Sequence, residues 1–236
     1  MNLLKTSFNS NKSSYKILFV LWGCVLFATM VLWRQDGMYF QRFLGSTHPL
    51  LAMGLSGLIG FLGLFLLENK GVLGSYKSGN VKELFRFFLI VVPLVSIAIV
   101  IDLKIVFPMD MNILFPKSLL FYPAMAFLVE MLFHSIPLAL VFPILLSIFK
   151  TISTQKLLWI ALLIIAIFEP TYQIYMDTYP NWAMAIVWIN LFLFNLLQLM
   201  VLKRYGFIFM YAMRLFYYLI WHICWGELRL VLLNHF

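Results

Sequence analysis

Charge is scarce in this chain. Asp, Glu, Lys and Arg make up 11% of its 236 residues, against roughly 25% in an ordinary soluble domain. That scarcity excludes a water-soluble fold with a conventional charged surface. Cysteine is scarcer still: Cys24 and Cys224 both fall inside apolar runs, which argues against a disulfide framework. The sequence also lacks internal repeats, low-complexity tracts and any stretch that would make a separate soluble domain. We therefore read residues 1–236 as one integral membrane domain.

What the chain has instead is apolar length. Hydrophobic residues make up 64% of it, and a bilayer-spanning helix needs about 20 of them in sequence. Such runs fall near residues 15–33, 49–67, 85–101, 118–134, 136–149, 155–175, 183–203 and 206–226. Leu21-Trp22-Gly23-Cys24 faintly resembles a lipoprotein cleavage site, but Trp22 is bulky and the run continues to Trp33, so it reads as a retained first span. The net charge of +8 comes from basic residues scattered through loops and span ends, where they anchor helices at the interface. Nucleic acid is excluded as a partner by the lack of a basic cluster; membrane lipids are the expected surroundings.

The pattern predicts an all-α transmembrane bundle of about eight spans, with seven as the alternative. The choice turns on Ser135-Ile136-Pro137, where proline is expected to interrupt a helix. Positive charge favours seven. With the amino terminus inside, the inner side carries 11 basic residues: three N-terminal, four at 70–86, then Lys150, Lys156, Lys203 and Arg204. The outer side carries five, whereas eight spans give 8 against 8. Depth favours eight, because the fourth, sixth and eighth segments then run the same way. That would place Glu130, His134, Glu169 and His222 in one layer, roughly 17–24 Å from their segment starts at about 1.5 Å per residue. The depth match predicts eight spans with a polar cavity between helices 4, 6 and 8. The loop at 71–80, GVLGSYKSGN, reads as a solvated connection.

Ionisable groups inside apolar spans are costly, so these few mark a candidate site. Glu130 and His134 stand four residues apart in SLLFYPAMAFLVEMLFHSIP and share a helical face. The pair suits a general base for water and its partner; the competing reading is a stitch between helices. Glu169 precedes Pro170, where the helix loosens, and Tyr172 and Gln173 follow within a turn. His222 lies between Trp221 and Trp225, as an interfacial residue or as a polariser in the same layer. Arg214 must find a carboxylate, and Glu130 and Glu169 are the available partners. Asn195 and Gln198 read as helix–helix hydrogen-bonding groups. Two histidines and two glutamates match zinc in number, but no pair has a recognised metal spacing, and no cofactor is expected. No G-x-S-x-G context supports a serine nucleophile.

These places resemble the CAAX protease and bacteriocin-processing family, also called Abi, of glutamate-dependent intramembrane proteases. Its motifs are E-E-x-x-x-R, commonly with Phe before the Arg, then F-x-x-x-H and H-x-x-x-N. Val129-Glu130-Met131-Leu132-Phe133-His134 is similar to the first, with Val129 for a glutamate and His134 for the arginine. Phe168 to Tyr172 stands at the second, with tyrosine for histidine and Glu169 added. His222 to Gly226 stands at the third, keeping the histidine and losing the asparagine, after a Lys203-Arg204-Tyr205-Gly206 lead-in. The likeness covers about residues 118–230.

The resemblance implies an endopeptidase cutting a membrane-associated peptide or protein, with Glu130 activating water, His134 as its partner, Glu169 as a second carboxylate and His222 at the oxyanion. Arg214, Tyr172 and Asn195 would give polar support. It also implies a bacterial plasma membrane. The replaced positions leave open an inactive relative that binds membrane peptides or confers bacteriocin immunity, and intramembrane Glu, His and Arg leave open a small proton-coupled transporter.

Overall fold

The computed structural model describes residues 2–69, 71–73, 81–176 and 179–233, without the side chains of 2–14, 176 and 233. Most of the loop read at 71–80 lies outside the described residues, as do the side chains of Lys5 and Lys12. Among the described residues the chain is helical, with no strand. Among the described residues seven helices are long and apolar enough to cross a membrane. We label them α1 (Asn2–Gln35), α2 (Pro49–Asn69), α3 (Val81–Ile105), α4 (Ser118–Ile148), α5 (Thr154–Tyr175), α6 (Asn181–Tyr205) and α7 (Phe207–Leu232). The architecture is the polytopic all-α bundle read from the sequence.

The count is seven because the fourth and fifth apolar runs form one continuous helix. Pro137 cannot donate to the carbonyl of Phe133, and its ring crowds that carbonyl. The chain accommodates this by widening into a π-helical turn over Glu130–Ser135 and resuming α geometry at Ile136. The proline sits in the first turn of the resumed helix, where a missing donor costs least. Pro170 acts more sharply: regular α5 stops at Ala166 and restarts at Phe168, where Ala166 would need the donor that Pro170 lacks.

Close packing brings α2 against α1 and α4. Gly57, Gly60 and Gly63 recur every three residues on one face of α2. A Cβ on Gly57 would collide with the Trp22 indole, and one on Gly60 with the Met131 sulfur. One on Gly63 would come within 2.7 Å of Ala139 Cβ. Small residues of this kind let membrane helices approach, and here they press α2 onto the π turn that carries Glu130.

At one end of the bundle α4 packs on α7, α7 on α3, α3 on α6 and α6 on the last part of α5. The ring closes where Phe133 of α4 meets Tyr172 of α5, centroids 5.2 Å apart. A cavity of about 270 Å³ lies inside this ring. The loops that follow α1, α3 and α5 contribute Phe43, Phe107 and Tyr179 to its wall, so it reaches the face where the odd-numbered helices end.

Candidate functional site

Arg214 on α7 is 1% exposed and organises the interior. Its Nη1 and Nη2 donate to the two oxygens of Glu169 at 2.8 and 2.7 Å, a bidentate fork that guanidinium geometry favours. Its Nε donates to Glu130. Nη2 also donates to Gln198 Oε1 at 2.8 Å and lies 3.4 Å from Asn195 Oδ1. Gln198 returns a bond to Glu130 Oε1 at 2.5 Å. The other oxygen of Glu130 meets His134 Nδ1 at 2.7 Å, across the π turn. Gln173 donates to Glu169 at 3.2 Å.

Glu130, His134, Glu169, Arg214 and Asn195 thus come together, as their sequence context suggested. They do so in a seven-helix path. Glu130 lies near the middle of the 31-residue α4, so reversing α5 and α7 relative to it does not move them to different depths, and Arg214 spans the remaining gap. His222 stands apart from this cluster. It stacks on Tyr122 at 4.5 Å between centroids and lines the cavity further along α7, in a second π-helical turn. Tyr172 is 43% exposed and forms the lateral edge of the cavity with Phe133.

The cavity lies chiefly between α3, α4, α5, α6 and α7, wider than the three-helix site expected. Glu169 and Arg214 form its polar end, whereas Glu130 is not among its lining residues. Both Glu130 oxygens are engaged, by Arg214 and Gln198 on one side and His134 on the other. The arrangement holds two carboxylates on one guanidinium and leaves His134 Nε2 buried without a partner. Among the described residues no group of three or more His, Cys, Asp and Glu is arranged to hold a metal ion.

A second buried polar cluster escaped the sequence reading. Arg229, near the end of α7, pairs with Asp102, at the end of α3, through Nε at 2.7 Å and Nη2 at 3.0 Å. Trp225 Nε1 and the Phe107 amide both donate to Asp102, at 2.7 and 2.8 Å. Arg229 also reaches Asn112 Oδ1 at 2.9 Å and the Phe107 carbonyl. Asn112 in turn donates to the His222 carbonyl at 3.3 Å, tying this cluster to the cavity wall. Asp102 and Arg229 fall just beyond apolar runs, where charged residues are ordinary interfacial anchors. No sequence signal separated them from Lys104 or Lys117. No protein-family model, curated protein or solved structure matches the chain.

Proposed function

We propose that the protein binds a membrane-embedded peptide segment in the α3–α7 cavity without cutting it, the inactive alternative that the family resemblance left open. The observation that carries this reading is the state of Glu130. A general base must reach the proton it takes, directly or through one water. Glu130 is fully buried, has both oxygens committed and does not line the cavity. Glu169 does line it, but both its oxygens accept from Arg214. The presence of Val129 and His134 where the motif has glutamate and arginine agrees with lost hydrolysis.

An aromatic and apolar wall, including Phe121, Met125, Phe194 and Trp221, suits a segment arriving from lipid. The Phe133–Tyr172 pair marks where such a segment would enter between α4 and α5. Seven spans restore the 11-to-five excess of basic residues, which supports an inside amino terminus and turns the cavity towards the outer face.

The reading is tested by placing a photoreactive residue at Phe133 and illuminating the protein in native membranes. Adducts with intact membrane peptides support it. Adducts with lipid alone, or with peptides truncated at a common bond, overturn it.

A further inference from the structure

A second hollow lies on the lipid-facing surface, where α3 meets α7. It has a volume of about 300 Å³ and is lined by Val81, Leu84, Phe85, Phe88, Leu89 and Phe216. Phe88 and Phe216 join the two helices there, ring centroids 5.6 Å apart, while Val81, Phe85 and Leu89 are more than half exposed. All six residues are apolar, so within a membrane the groove takes hydrocarbon rather than water. Val81 and Leu89 stand eight residues apart on α3, about 12 Å at 1.5 Å per residue. That is most of the ~15 Å of hydrocarbon in one leaflet, half of the bilayer core, and it matches a single acyl chain lying along the helices.

Which lipid supplies that chain is decided at the head of the groove. Lys82, Phe85, Arg86 and Leu89 follow the i, i+3, i+4, i+7 pattern and share one exposed face of α3. Two cations therefore border the wall on which the chain would rest. Glu83, the one carboxylate in the first turns of α3, is taken by Arg204 at 2.5 Å. Among the described residues Arg86 has no ion pair. Lys203 and Arg204 end α6 beside the start of α3, with Lys203 over the Trp159 ring at 3.8 Å. Lys82, Arg86, Lys203 and Arg204 thus face a single carboxylate at this corner. A basic cluster beside a gap between membrane helices recognises an anionic head group, and a long basic side chain reaches from inside a span to the phosphate level.

We propose that the α3–α7 groove binds one anionic phospholipid, its acyl chain along Val81, Phe85, Leu89 and Phe216 and its phosphate at Lys82 and Arg86. The site shares no residue with the central cavity and does not depend on what that cavity holds.

The test titrates the purified protein in neutral detergent with phosphatidylglycerol and with phosphatidylcholine of the same acyl chains, counting bound lipids by native mass spectrometry. The first phosphatidylglycerol is expected to bind about tenfold or more tightly, from two basic side chains at its head group. Lys82→Gln with Arg86→Gln should reduce that preference to about twofold or less at unchanged melting temperature. Lys150→Gln with Lys156→Gln removes the same charge around the start of α5, outside the groove, and should leave the preference intact. Leu89→Trp fills the groove from an exposed position and should weaken the first phosphatidylglycerol at least about fivefold. Three results overturn the proposal. Equal affinity for the two lipids marks a surface wetted by any lipid. A preference lost to the same extent in both double variants marks a basic face without a site. First-lipid binding untouched by Leu89→Trp marks a head-group contact without a groove.

Discussion

Two arginines are buried in this bundle, and they are buried on different terms. Arg229 meets one carboxylate, Asp102, and its other bonds go to Asn112 and backbone carbonyls. Charges balance one to one, and the result is a clamp that fastens the ends of α3 and α7. Arg214 meets two carboxylates and the oxygens of Gln198 and Asn195, and with Glu169 it forms the polar end of a cavity. A balanced, closed cluster serves the fold. One that forms the end of a cavity also shapes the space beside it.

Removing each arginine should separate these roles. Arg214→Leu strands two buried carboxylates and is expected to cost about 5 kcal/mol, the upper end of what breaking a buried pair costs, read as loss of folded protein in detergent melts. Arg229→Leu strands one and should cost about 3 kcal/mol. Adding Asp102→Leu to it should recover about 1–3 kcal/mol, because a matched apolar replacement leaves no uncompensated charge. A double variant no more stable than Arg229→Leu would mean that the Trp225 and Phe107 N–H groups left without Asp102 cost as much as the stranded charge.

Gly60→Ala should cost about 1–3 kcal/mol by driving Met131 out of place beside Glu130. The same substitution at Gly54, where nothing lies within 4 Å, should not destabilise. Glu169→Gln keeps the shape but turns an amide NH2 towards the Arg214 fork, so it should cost about 1–3 kcal/mol, read in the same melts. The smallest effect belongs to the clamp's loop. Val106 adopts φ 50°, costly for a β-branched residue, and Val106→Gly should stabilise by about 0.5–1 kcal/mol. Its side chain is exposed, so little packing is lost.

Much of the fold was legible, because span length and apolarity are written locally. Seven of the eight apolar runs mark helices or the body of one, and the remaining run, 136–149, is the second half of α4. What misled was Pro137: in a membrane, a proline is absorbed by a π turn when neighbouring helices support the backbone. The Glu130–Arg214–Glu169 association was legible from cost alone, since a buried arginine must find carboxylates. Asn190, which lines the cavity from α6, was not, because an asparagine within a span reads as a helix–helix contact until its surroundings are known. The Asp102–Arg229 clamp was hidden for a related reason. Its residues stand where charge is expected, and only the fold withdraws them from water, to 3% and 2% exposure.

The measurement that bears most directly on the account is incubation of the purified protein in liposomes with a library of membrane peptides, with retained and released species weighed by mass spectrometry. The account predicts intact peptides enriched on the wild-type protein and no cleavage products. Products that form with wild type and vanish with Glu130→Gln would contradict it and restore Glu130 as the base of a working protease.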